Sequence, residues 1–201
     1  MGAARTVLQQ HGGAGLSTRS VAETASVNLS LIHYHFRSRE GLLVAVLDEM
    51  NAELLNRQRR LYSRSDLSLS TKWRRAVDFY RADLKSGYVR VLLELAAEGY
   101  ANPQIAHRVR AAIGGWRDLL TDTAAEALPR FGITVIEPRE LATIVVSAWY
   151  GMELQQLLGV TEKEGCFSQT LDTIGHLIDQ LERRPSQANM RRKSLGNRHA
   201  S

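Results

Sequence analysis

Between Thr18 and Arg39 the sequence sets out hydroxyls, an amide, imidazoles and a phenol on two short stretches of helical periodicity. Asn28, Ser30 and His33 can exchange hydrogen bonds with the edges of bases, and Leu29 can touch a thymine methyl. Tyr34 suits a phosphate oxygen, and Thr18, Arg19 and Arg39 stand at helix starts, where phosphates are favoured. The face carries no Lys or Arg, which removes the common bidentate contact to guanine. Patterning alone leaves open the alternative that Leu29 and Tyr34 are packed and His33 is solvated.

Other chemistry finds little support. There is no phosphate-binding glycine loop, no His/Cys cluster at metal-ligand spacing and no nucleophile motif. His33 and His35 lie two apart on a helix, point in different directions and make a poor metal pair. Cys166 sits in a Gly-Cys-Phe turn with no His close in sequence. The chain is therefore expected to be no enzyme, with no cofactor and no metal site.

The elements that must position these groups are all helical, with no strand alternation. A first helix over 3–11 ends at Gly12-Gly13. Ser17 caps a short helix to residue 25, and residues 26–28 form a tight turn. A second short helix over 29–36 should face its small core with Val27, Leu31, Ile32, His35 and Phe36. Ser38 caps a longer helix with Glu40 in its first turn. A loop over 63–70 precedes helices over 71–85, 88–100 and 103–127. Pro129, Gly132 and the β-branched run 133–136 break the pattern. Pro138 then opens a helix reaching Gly159, and a last helix covers 167–181.

Of the 201 residues, 44% are hydrophobic and 23% charged, ordinary for a globular chain. No apolar run is long enough for a membrane span, and no signal peptide opens the chain. One cysteine excludes an internal disulfide framework and fits a cytoplasmic setting. The net charge of +5 has a local source: residues 183–201 hold six Lys/Arg and no acid, leaving 20 basic against 21 acidic residues elsewhere. The basic pI therefore belongs to a tail, expected to be disordered, and is no argument for a DNA-binding body.

The run LSTRSVAETASVNLSLIHYHFRSREGLLVAVL closely resembles the DNA-binding segment of the TetR family of regulators. The residues that carry the resemblance are Ser17, Val21-Ala22, Ser26-Val27-Asn28, His33-Tyr34-His35-Phe36, Ser38-Arg39-Glu40 and Leu42-Leu43. Further on, 137–142, Trp149-Tyr150-Gly151-Met152 and Leu157-Leu158-Gly159 resemble the penultimate helix of many members, and Ala101-Asn102-Pro103 a frequent inter-helix junction. Three positions depart from the pattern. Ser26 replaces the usual turn glycine, so the turn should carry slight strain. His33 replaces the usual Tyr, which implies DNA binding more sensitive to pH. The first helix begins almost at Met1, which implies a truncated start or missing backbone contacts.

The resemblance implies an all-α fold. A three-helix helix-turn-helix DNA-binding domain occupies 1–47, a helical ligand-binding and dimerisation domain 48–182, and the basic tail 183–201. It implies a cytoplasmic, homodimeric repressor on a double-stranded, palindromic operator, released by a small apolar or aromatic ligand. An orphan regulator of the same fold without an effector is the alternative. Leu141, Ile144, Val145, Ala148, Met152, Leu171, Ile174, Leu177, Ile178 and Leu181 are assigned to the dimer seam. Phe79, Tyr80, Tyr88, Leu92, Leu95, Tyr100, Trp116, Trp149, Tyr150 and Met152 are assigned to a ligand pocket, which Glu94, Glu98, Glu153 and Gln156 can serve as orienting groups.

Overall fold

Each short helix near the N-terminus begins at a side-chain cap. The computed structural model describes residues 1–184; the basic tail expected from 183 lies, from 185 on, outside the described residues. Helix α1 (Gly2–Gly15) is kinked at Gly12 (φ 68°, ψ −173°) and resumes for one short turn, where the sequence pattern had it stop. Ser17 and Ser20 then bond reciprocally to each other's backbone N–H, forming a capping box at the start of α2 (Thr18–Ala25). A cap of this kind is worth about 1 kcal/mol. Asn28 accepts from the Ser30 N–H at the head of α3 (Leu29–Phe36). Ser38 accepts from the Gly41 N–H at the head of α4 (Arg39–Tyr62).

The turn between α2 and α3 is left-handed at Ser26 (φ 53°, ψ 42°), the conformation expected to carry strain at a non-glycine residue. The hinge between α3 and α4 depends on Gly41: a Cβ there would stand 2.1 Å from the Phe36 carbonyl oxygen. No side chain fits that gap without backbone movement.

The body follows as α5 (Leu69–Ser86), α6 (Tyr88–Glu98), α7 (Pro103–Arg130), α8 (Pro138–Leu157), a one-turn α9 (Glu162–Gly165) and α10 (Phe167–Arg183). Two boundaries differ from the sequence pattern for physical reasons. Helix α5 starts two residues early because Ser68 caps it and Glu182 accepts from the Leu69 N–H. Helix α7 runs through Pro129, which sits in its last turn where few bonds remain to be broken. Among the described residues there is no strand, and no helix is long and apolar enough to cross a membrane.

Two apolar clusters hold the helices together. The first joins Ala4, Val7 and Leu8 of α1, Val21 and Ile32 of the short helices and Leu42 to Met50 of α4. It continues into Tyr88 to Leu95 of α6 and Ile105 to Ala112 of α7. The second joins Leu55 and Leu61 of α4 with Val77, Tyr80, Trp116, Val146, Trp149 and Leu171. Helix α4 is continuous through residues 47 and 48 and enters both clusters. Helices α7 and α8 pack along each other, as do α5 and α10.

Candidate nucleic-acid interface and buried cleft

Helix α3 is held by Ile32, which is buried, and by Phe36, which is half-buried. Almost everything else on it is exposed. The expected core face is therefore narrower than its apolar pattern suggested: Val27 and Leu31 are 38% and 46% exposed, and His35 is exposed as well. A helix of two turns, packed mainly on α2 and α4, has little contact surface beyond these two anchors.

The exposed side gathers most of the groups assigned to DNA. Tyr34 is 80% exposed, and Leu29, Ser30 and His33 are exposed beside it. The Asn28 Oδ1 atom is committed inward, accepting from the Ser30 N–H (2.9 Å) and the Ser30 hydroxyl (2.7 Å). Its amide N–H groups remain as donors. Thr18 stands at the first position of α2, and Arg19 extends outward in an i,i+4 pair with Glu23 at 3.2 Å.

Arg39 does not join this set. Its Nε donates to the Leu16 carbonyl, and its guanidinium pairs with Glu94 and, at 3.6 Å, with Glu98 of α6. The assignment of Arg39 to phosphate is corrected on this geometry, and so is the assignment of Glu94 and Glu98 to a ligand. Arg37 was not singled out from sequence. It ends α3 with φ 62° and ψ −46°, an uncommon backbone for a non-glycine residue, and its side chain is exposed next to the reading face. Its place within the SRE-containing motif disguised it as linker.

A second constellation is buried in the body. Leu54 and Gln58 of α4, Asp83 of α5, Tyr88 of α6, Trp116 of α7, and Trp149, Tyr150 and Glu153 of α8 surround a narrow cleft with about 10 Å³ of free space. That is room for roughly one water molecule. The rings meet edge to face: Trp116 and Trp149 at 5.3 Å, Trp116 and Tyr150 at 5.7 Å, Tyr80 and Trp149 at 4.9 Å. Asp83 receives two bonds from Arg57, at 2.8 and 2.7 Å, and Arg57 also lies 4.3 Å over the Phe79 ring. The Tyr88 hydroxyl donates to Asn51 Oδ1, and Gln156 donates to the Tyr80 hydroxyl. Burial pushes the Glu153 carboxyl up to about 9; the Asp83 charge adds to this and the Trp149 indole opposes it.

Of the residues assigned to a ligand, Tyr88, Trp116, Trp149 and Tyr150 are brought together here, with Tyr80 and Phe79 behind them. Leu92 and Leu95 are corrected to pure core: both are sealed in the first cluster. Tyr100, just past α6, is 96% exposed and is not among the residues around this cleft. Met152 faces a different, apolar groove. Gln58 and Asp83 were missed because each is a polar residue among charged neighbours, where a solvated face is the ordinary reading.

That groove, of about 380 Å³, runs between α7, α8 and α10. Leu141, Ile144, Val145, Ala148, Met152, Ile174, Ile178 and Leu181 all line it, and Leu177 is 54% exposed on the same helix. Leu171 is the exception. It is 2% exposed within the second cluster, and its carbonyl accepts the Trp73 indole N–H at 2.8 Å, so it cannot meet a partner.

A brace helix, a left-handed turn and a second helix with its polar side outward make a helix-turn-helix DNA reader on an all-helical body. Residues 1–46 match the family model described as bacterial regulatory proteins, tetR family. Residues 1–46 are thus similar to the DNA-binding segment of tetR-family regulators, and the whole chain shares its fold with TetR-family transcriptional regulators. Among solved structures, a TetR-family member from Streptomyces coelicolor A3 is 27% identical, with TM-score 0.59 over 90% of this chain and 94% of that one. A TetR transcriptional regulator from Legionella pneumophila is 22% identical, with TM-score 0.64 over 89% and 92%. The regulator FadR from Bacillus subtilis, in complex with stearoyl-CoA, is 14% identical, with TM-score 0.66 over 90% and 93%. No curated protein sequence matches the chain.

Proposed function

We propose that this regulator is a homodimeric repressor that reads a palindromic operator through α3 and leaves it when a small molecule occupies the body. The observation that carries the DNA half of this reading is the exposure of α3. A helix anchored by two residues and polar elsewhere is a poor structural element but a good major-groove probe. We assign base contacts to Asn28, Leu29, Ser30 and His33, and phosphate contacts to Thr18, Arg19, Tyr34 and Arg37.

One reader of this size has too few contacts for useful affinity, and two on a two-fold axis suit half-sites roughly 34–36 Å apart. The groove between α7, α8 and α10 supports a second copy as the partner. Its lining is almost wholly apolar and includes Ile144, which is more than half exposed, as is Leu177 on the same helix as Ile174 and Ile178. Solvent-exposed apolar surface of this kind marks an association site. We further propose the segmentation at residues 47 and 182, and a cytoplasmic location.

Selection of bound genomic fragments, followed by gel-shift titration, tests the reading. An operator with two-fold symmetry is expected, and its affinity should fall steeply with salt. Binding equal for all sequences would reject the specific reader. The cleft in the body has Gln58, Asp83 and Glu153 in its lining, which favours a guest with polar groups over a purely apolar one. The complex of the Bacillus subtilis neighbour with stearoyl-CoA supports a body of this fold holding a small molecule.

A further inference from the structure

The buried cleft contains more hydrogen-bonding capacity than the protein itself uses. Gln58 Oε1, Trp116 Nε1 and Glu153 Oε2 have no protein hydrogen-bond partner, and all three residues line the same cavity. They come from α4, α7 and α8, and the residues are 2%, 6% and 2% exposed. An unpaired buried polar atom is costly, and three around one space describe a guest that donates twice and accepts once.

Charge narrows the guest further. The cleft is lined by two acids, Asp83 and Glu153, and by no Lys, Arg or His. Arg57, from behind, donates through one terminal nitrogen to both Asp83 oxygens, and its Nε is a further buried donor without a hydrogen-bond partner. Glu153 has no such counter-charge. With no cation lining the cleft an anion finds no partner there, and burial holds the Glu153 carboxyl protonated while the cleft is empty, so a guest amine takes up that proton and leaves a carboxylate beside an ammonium. That ammonium meets the carboxylate inside a lining that also holds Trp116, Trp149, Tyr88 and Tyr150, aromatic rings of the kind that attract positive charge.

We propose that this cleft is the binding site of a compact primary ammonium compound carrying a nearby oxygen. Its N–H groups donate to Glu153 and Gln58, its oxygen accepts from the Trp116 indole, and its short carbon chain lies against the rings. The free space at rest matches an ammonium group in size, so the guest enters head first and Gln58 and Glu153 turn to admit the remainder. The proposal rests on the ligand-responsive reading above and names the ligand class.

The test uses the full chain with 2-aminoethanol as probe, against ethylene glycol and glycolate as neutral and anionic analogues of matched size. Melting temperature and tryptophan fluorescence are read at neutral pH and constant ionic strength. The expected result is a rise in Tm and a change in emission that grow with millimolar 2-aminoethanol and are absent with the other two. Glu153→Gln should keep the fold and weaken binding roughly tenfold or more, the loss of one charge-assisted hydrogen bond. Trp116→Phe should weaken it less. No response, an equal response to ethylene glycol, a response to glycolate, or unchanged binding in Glu153→Gln would each overturn the proposal. Intact operator binding with no response to 2-aminoethanol would sink this site alone. A selective response without specific DNA binding would sink the repressor reading alone.

Discussion

Glu153 shows how much one buried side chain can set. Its carboxyl is raised from 4.5 to about 9, chiefly by desolvation. Below pH 4.5 the group is protonated in both the folded and unfolded chain, and pH changes nothing through it. Between 4.5 and about 9 the unfolded chain has released a proton that the folded one retains, so folding grows less favourable as pH rises. Glu153→Gln removes this penalty. The variant is expected to be more stable than the parent by an amount that widens from pH 4.5 toward 9, reaching on the order of a few kcal/mol. Urea denaturation across that range checks it; parallel curves would show that Glu153 is ionised at no cost. Tyr34 behaves in the opposite way. At 80% exposure it packs on little, so Tyr34→Ala should alter stability by no more than about 0.5 kcal/mol. Operator affinity should still fall several-fold with the loss of a phosphate bond.

At the scale of elements, the sequence disclosed the caps and the turn far better than the pairings between helices. Ser17, Asn28 and Ser38 cap from within their own segment, so the signal is local and readable. The partners of Arg39 lie 55 and 59 residues away, and only the packing of α6 beside α4 brings them together. The same holds for the cleft, whose eight lining residues come from five helices. Its aromatics were visible as a group; Gln58 and Asp83 were not, because polarity on a helix reads first as solvent exposure. The bridge gives Arg39 a distinct expected phenotype. Arg39→Ala should cost about 1 kcal/mol of stability, as suits a partly exposed pair, and leave the salt dependence of DNA binding unchanged. A salt slope reduced by about one would return Arg39 to the phosphates. Gly41→Ala should be harsher, since its Cβ collides with the Phe36 carbonyl and displaces α3. Loss of operator binding with a lowered melting point is the expected pair of effects.

At the scale of the whole molecule, association is the main expectation. Ile144 and Leu177 are exposed in the monomer and adjoin the apolar groove. A glutamate at either position should leave helicity intact and shift the molecule to monomer in light scattering, with operator affinity falling by orders of magnitude. A variant that stays dimeric would move the interface elsewhere. Leu171, read from sequence as part of that seam, is instead core; an apolar stripe on a helix does not say which of two apolar neighbours it serves.

The first apolar cluster passes from Ala4 through Leu47 to Leu95 and Ala112 without a gap, and Gly87 presses on Leu8, where a Cβ would stand 2.6 Å from its side chain. A reader that borrows part of its interior from α6 and α7 is not a portable module. Cut after α4 and grafted to another protein, it would expose the faces of Val7, Leu43 and Val46 and lose its shape. The same sharing makes melting a single cooperative event: DNA recognition and the integrity of the body are expected to disappear at one temperature, with no stage at which a folded reader outlives its support.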